Sequence, residues 1–261
     1  MKKKNSSILL YFFVFLLFAA CSSDENKSRF EEKTPVKKNR KTAVKHKKRK
    51  KKALRTIKLN DKNAVSELTK YGKENPETIV LIKTNLGKLK VRLYKETPLH
   101  RANFIRLVKN NYFDDAMFYR VVKNFIVQTG NSDEPTHSNR RSKLGQYKIP
   151  AEFHPHLIHK KGALAMARSY KENPEKASSP YDFYIVHGRV IVEPELRFVK
   201  PELRRKLYGS VGGADHLDNE HTVFGEVIKG INLVDSIANQ EVDESDWPRK
   251  DIVIKTIEII R

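Results

Sequence analysis

Cysteine is almost absent: Cys21 is the single one among 261 residues. An internal disulfide and any multi-cysteine metal site are thereby excluded. Also missing is an apolar run of the roughly 20 residues that a transmembrane helix needs. The longest, Ile8 to Ala20, has 13. Acid is scarce toward the N-terminus, where residues 1–77 hold 22 Lys/Arg against 8 Asp/Glu. Residues 78–261 hold 30 against 23, so the net charge of +21 describes the first third more than the remainder. No internal repeat is visible.

What stands at the N-terminus is an address. Lys2, Lys3 and Lys4 precede the apolar run, which ends Phe18-Ala19-Ala20 before Cys21. That pattern reads as a signal peptide over residues 1–20. Small residues before a cysteine resemble the bacterial lipobox, in which Cys21 would be lipidated and become the mature N-terminus. The expectation is a lipoprotein held to a membrane of the bacterial envelope, the outer one, facing the periplasm or the surface.

Residues 21–77 show no sustained apolar period. Pro35 to Lys58 carries 13 Lys/Arg and no acid. Such a block repels itself and cannot offset its ordering entropy by burial, so a disordered tether spanning roughly 40 Å is expected. Attraction of 35–58 to an anionic envelope surface is a second reading. Nucleic-acid binding is set aside, because a secreted chain does not meet that partner. A short helix from Asp61 to Tyr71, stopped by Gly72, is the weakest element expected.

From Thr78 onward the patterns sharpen. Thr78–Thr84 is rich in β-formers, and Lys88–Leu93 alternates Leu89, Val91 and Leu93 against Lys88, Lys90 and Arg92. Asn85-Leu86-Gly87 joins them as a hairpin. Thr97 caps a helix that opens on Pro98 and ends at Asn110-Asn111. Strands are expected at Phe118–Val122, Phe125–Thr129, Ala163–Ala167, Phe183–His187, Thr222–Val227 and Ile252–Ile259, and a second helix at Ile231–Ala238. Many short strands with two helices predict a mainly β fold, a closed antiparallel β-barrel with two flanking α-helices.

Chemistry concentrates in Phe118-Tyr119-Arg120-Val121-Val122-Lys123-Asn124-Phe125-Ile126-Val127-Gln128-Thr129-Gly130. An arginine among side chains that normally exclude charge suits an uncharged ligand with a carbonyl beside an apolar ring. A prolyl peptide bond fits that description. Three other signals are weaker. His154, His156 and His159 cluster, but Pro155 disturbs helical spacing and no acid is placed beside them, so no metal is assigned. Asp243-Glu244-Ser245-Asp246 lacks the glycine and closing glutamate of a calcium loop and reads as a solvated turn. Trp247-Pro248 reads as packing.

Phe118-Tyr119-Arg120-Val121 with Phe125, Gln128 and Gly130 resembles the signature of the cyclophilin-type peptidyl-prolyl isomerases. Asn103-Phe104-Ile105-Arg106-Leu107, Gly162 to Ala167, Phe183-Tyr184-Ile185 and His221 to Val227 follow that family's order, over about Thr78 to Arg261. The resemblance implies Arg120 as the catalytic arginine. It further implies Phe125, Ile126, Tyr184 and Leu217 around a proline pocket, and Gln128 on the substrate backbone. Ala167 and Arg168 would flank the groove, with His216 at the rim and His221 in the pocket. No cofactor is implied, and the partners would be proline-containing polypeptides. A binder of proline segments with little turnover is the alternative.

Some positions depart from the family. Tyr119 stands for histidine, where it is expected to pack, Asn131 for aspartate, and Pro180-Tyr181-Asp182 for Gly-Ser-Gln. An insertion lies at 188–209, in which Leu196, Val199, Leu203 and Leu207 suggest helical packing stopped by Gly209. It reads as surface decoration, with covering the groove or binding a partner as the other readings.

Overall fold

The computed structural model describes residues 57–200 and 202–260. The leader, Cys21 and most of the basic tract at 35–58 lie outside the described residues. Among those described, no helix is long and apolar enough to cross a membrane.

The expected hairpin forms as β2 (Ile79–Thr84) and β3 (Lys88–Leu93), with Leu89, Val91 and Leu93 buried as their alternation requires. Six further strands complete one sheet: β4 (Arg120–Val122), β5 (Ile126–Thr129), β7 (Ala163–Met166), β8 (Phe183–Val186), β9 (Val223–Lys229) and β10 (Ile254–Ile260). The eight strands run β10-β2-β3-β9-β7-β8-β5-β4, every neighbour antiparallel.

The ladder does not continue from β4 round to β10. Instead Met117 bridges both Val253 and Asn131, and the Phe118 N–H donates to the Ile252 carbonyl. The sheet is therefore a curled half-barrel rather than the expected closed barrel. The outer edge of β4 is met by a loop instead, the Val121 N–H donating to the Asp246 carbonyl.

Two helices fall where expected, α2 (Pro98–Lys109) and α6 (Ile231–Ala238). The cap of α2 differs. Thr97 makes no capping bond, and the Glu152 carboxylate instead accepts from the backbone N–H groups of Leu99 and His100, both at 3.0 Å. An anion from a distant loop thus meets the positive end of the helix.

Of the other helices, α1 (Ala64–Glu74) overlaps the one expected at Asp61–Tyr71 but runs past Gly72. α4 (Glu193–Leu196) and α5 (Glu202–Val211) form in the insertion where helical packing was expected, and α3 (Pro135–Leu144) was not foreseen. α1 moves the start of the folded unit well before Thr78. Its Ala64, Leu68 and Gly72 recur every four residues on one buried stripe, against α2. Arg101 of α2 donates to the Gly72 and Asn75 carbonyls, and Arg106 donates to the Ile57 carbonyl at 2.7 Å. Just before α1, β1 (Leu59–Asn60) pairs in parallel with β6 (Gly145–Gln146).

The main core lies inside the curl, where Phe104 of α2 meets Phe113, Phe183 and Phe224 with ring centroids 5.0 to 5.5 Å apart. A second apolar cluster covers the other face of the middle strands, with Ile126, Ala163, Ala165, Tyr184, Val186, Leu217 and Val223. The 188–209 insertion builds a third, in which Leu196 and Val199 pack with Tyr208, Ile191 and Ile158. Leu203 is exposed, and Gly209 lies inside α5, which runs on to Val211 rather than stopping there.

If α1 belongs to the folded unit, Leu68→Ala, at a side chain 1% exposed, lowers the unfolding free energy by about 2–5 kcal/mol in denaturant titration. A fold beginning at Thr78 would instead leave the midpoint where it is.

Candidate active site

The β4–β5 hairpin turns at Lys123-Asn124. Asn124 takes φ +63°, a left-handed conformation that asparagine tolerates better than most residues. The turn sets a register in which Arg120 faces Gln128, and Gln128 in turn faces Tyr184 on β8. Directly opposed residues in an antiparallel pair have Cβ atoms about 5 Å apart. Arginine, amide and aromatic thus form one row across three strands. Ile126, two residues along β5, shares their face. Gly130 ends β5 at φ +113°, and a Cβ there would stand 2.2 Å from the Tyr181 carbonyl oxygen, so only glycine fits the approach.

Ile126, Tyr184 and Leu217 are nearly fully buried in the second apolar cluster, against which Phe125 and Ala167 pack. The Phe125 ring stacks on His216 at 5.3 Å. Leu217 and His216 arrive on the short 3-10 turn Asp215–Leu217. The Ala167 N–H donates to the Asp182 carbonyl and its own carbonyl accepts from the Ser179 N–H, so the 179–182 loop lies along it.

Arg120 is 43% exposed at its side chain, and its Nε lies 3.5 Å from Asp246 Oδ2. Such a half-exposed pair at this distance holds weakly. Neither terminal nitrogen of the fork meets a partner among the described residues. The turn Asp243–Asp246, read from sequence as solvated, therefore supplies the carboxylate that faces the arginine. The Asp246 carbonyl also accepts from the Val121 N–H. No sequence signal links residues this far apart.

Gln128 is oriented by a chain that the sequence did not disclose. Tyr119 Oη donates to Asp182 Oδ1 at 3.2 Å, and a carboxylate only accepts. The hydroxyl therefore receives from Gln128 Nε2, at 2.7 Å. The amide oxygen is left as the free acceptor. Tyr119 was expected merely to pack; its hydroxyl fixes the amide.

Arg168, expected to flank the groove, has its side chain committed to neighbours. Its guanidinium is 4% exposed, donates to the Glu220 carboxylate and carbonyl at 2.6 Å each, and lies over the Tyr170 ring. His221 is buried, with Nδ1 3.1 Å from the Met166 carbonyl and Nε2 2.8 Å from Tyr170 Oη. Since a carbonyl accepts, Nδ1 carries the proton and Nε2 receives the tyrosine hydroxyl. Burial pulls its pKa down to about 4. Of the clustered histidines, His154 and His156 stay together at Glu96 with rings 5.8 Å apart, His154 on its carbonyl and the exposed His156 4.0 Å from its carboxylate, while His159 is buried against Asp218. Among the described residues no group of three or more His, Cys, Asp or Glu is placed to hold a metal.

With this geometry in hand, likeness to known proteins becomes informative. Residues 79–259 match the family model described as cyclophilin type peptidyl-prolyl cis-trans isomerase/CLD. A Staphylococcus epidermidis protein provisionally named a peptidyl-prolyl cis-trans isomerase is 32% identical over 198 residues, 74% of this chain and 96% of its own length. A longer Streptococcus pyogenes protein, whose name couples a phosphatase with such an isomerase, is 32% identical over 69% of this chain, which spans 38% of that relative. The cyclophilin type isomerase of Cryptosporidium parvum, solved in the presence of the dipeptide Ala-Pro, superposes with a TM-score of 0.50 at 25% identity. That match covers 70% of this chain and 99% of the other. This chain belongs to the cyclophilin-type peptidyl-prolyl cis-trans isomerase family.

A pH dependence of stability follows from the buried imidazoles. His137 and His221 are each lowered from 6.5 to about 4, chiefly by burial. The unfolded chain binds their protons below pH 6.5 and the folded one does not, so stability falls as pH drops from about 6.5 toward 4. Melting temperatures should hold level from pH 8 to 7 and decline through that window; a flat profile down to pH 4.5 would contradict the assignment.

Proposed function

We propose that this isomerase catalyses rotation of X-Pro bonds in other polypeptides of a bacterial envelope, to which a lipid on Cys21 fastens it. The observation carrying the catalytic part is the Arg120–Gln128–Tyr184 row beside the Ile126, Leu217 and Phe125 cluster. The solved relative studied with Ala-Pro supports a proline-containing ligand for the same kind of site.

Rotation about a prolyl bond is opposed by amide resonance of about 18–20 kcal/mol. No bond is broken, so neither a nucleophile nor a proton donor is needed. The proline ring enters the apolar cluster, which excludes water, and the carbonyl side turns outside it. As conjugation is lost the prolyl nitrogen gains a lone pair, to which the free nitrogens of Arg120 donate. The Gln128 amide oxygen, set by Tyr119, accepts a substrate backbone N–H and fixes the peptide while it twists. Ala167 and the backbone at Arg168 border the peptide groove, and His216 and His221 wall the pocket.

The leader pattern before Cys21 and the 13 basic residues of 35–58 support the envelope part. The lipid holds the chain to the membrane, and the basic tract adds attraction to anionic surface.

Arg120→Ala should lower kcat/KM for a proline peptide by about 10²–10³, the usual effect of deleting one electrostatic donor, with the melting temperature unchanged. Retained turnover in that variant would remove Arg120 from the mechanism, and normal peptide affinity without exchange in the unmutated protein would favour a proline-segment binder. For localisation, Cys21→Ser should release the protein from the membrane fraction into the soluble envelope fraction; equal retention would sink the lipid anchor.

A further inference from the structure

His159 is fully buried, and nothing in prolyl rotation uses it. Its backbone N–H and its Nδ1 both reach Asp218 Oδ1, at 3.0 and 2.9 Å. Because the carboxylate only accepts, Nδ1 bears the proton and Nε2 keeps its lone pair. That lone pair accepts from Tyr184 Oη at 3.1 Å. On its far side, Asp218 Oδ2 accepts from Tyr208 Oη at 2.9 Å and lies 3.4 Å from Arg204 Nη1. Asp218 is itself only 6% exposed at its side chain.

Arg204 and Tyr208 are one turn apart on α5, inside the insertion. The close seating of Tyr208 depends on Gly213, where a Cβ would stand 2.6 Å from Tyr208 Cε1 and 2.4 Å from the His159 carbonyl oxygen. The segment around Gly213 bridges both Lys160 and Arg189, so the insertion and the segment that carries His159 are stitched together there. A phenylalanine at 184 would have filled the pocket without any polar partner. Burying a hydroxyl, an imidazole and a carboxylate in series is costly unless each is satisfied, and here each is.

We propose that the insertion is a positioning element of the proline pocket. Arg204 and Tyr208 of α5 fix Asp218, Asp218 fixes the His159 tautomer, and His159 fixes the Tyr184 ring on which the substrate proline rests. The inference rests on the isomerase reading of the site, and makes the 188–209 segment more than surface decoration. It specifies the shape of the pocket floor, so it acts on ring binding rather than on the rotation step.

The test uses the full chain purified in detergent, a tetrapeptide containing Ala-Pro, and assays well below each variant's melting temperature. Tyr208→Phe should raise both KM and the Kd from NMR titration by about threefold to tenfold while kcat changes less than twofold. In a Tyr184→Phe background the same substitution should change Kd and KM less than twofold, because the hydroxyl through which it acts is gone. A merely structural role would lower the melting temperature and leave Kd of the folded protein alone, and that result overturns the proposal. So does an equal effect in the two backgrounds. Should Tyr208→Phe fail to fold, Arg204→Ala reads the same quantities at a less buried site, with Arg204→Lys expected to restore them. Loss of activity in the unmutated chain would instead refute the isomerase reading, while the peptide Kd still reports on the floor.

Discussion

The constraint on which the rest depends is that β5, β7 and β8 are buried on both faces. Successive side chains of a strand point to opposite sides. Val127, Leu164, Met166, Phe183 and Ile185 therefore enter the main core, while Ile126, Ala163, Ala165, Tyr184 and Val186 enter the second cluster. One set holds the half-barrel together and the other forms the floor on which a ligand ring could lie. A one-residue slip in any of these registers would exchange the two sets and abolish the row of Arg120, Gln128 and Tyr184. Fold and site are thus two readings of a single alternation, and the Asn124 turn is where the register is set.

The polar groups around that floor are handled in a consistent way. Most are tied to each other: Tyr119 between Asp182 and Gln128, Arg168 on Glu220, His221 between Met166 and Tyr170, His159 between Asp218 and Tyr184. Arg120 is the contrast, half-exposed and held only loosely by Asp246. A donor that must meet a lone pair appearing only during rotation gains from being unspent in the ground state. The firmly paired groups keep the shape, and the loosely paired one is the group the proposed mechanism draws on.

How much of this was legible depended on the range of the interaction. Alternation in Lys88–Leu93 and the Pro98 helix start are local signals, and those elements formed nearly where the sequence put them. Phe125, Ile126, Tyr184 and Leu217 were assigned to a proline pocket through resemblance to a family, and the structure gathers them in one apolar cluster. What escaped was long-range. Asp246 faces Arg120 across 126 residues of chain, and Glu152 caps α2 from 53 residues away. α1 was expected only as a weak helix ending at Tyr71, because its stripe of Ala64, Leu68 and Gly72 is narrow and follows a strongly basic tract; its run past Gly72 and its packing on α2 were not foreseen. The mainly β antiparallel class was legible, but the extent of closure was not, because strand propensity says where strands lie and not how far the first and last edges meet.

Prolyl rotation makes an unusual demand on titratable groups, which explains their state around this pocket. In hydrolysis a histidine is tuned toward neutrality of pH so that it can trade protons. Here a proton moved to or from the pocket wall would only change its shape and charge. Burial accordingly pushes His159 and His221 down and Tyr184 up, away from any value at which they would titrate near neutral pH. Each is locked in one protonation state and one tautomer by a partner of fixed polarity. The apolar floor then carries no net charge, and in the proposed mechanism the loosely paired Arg120 at its edge acts on the twisted amide without competition from within.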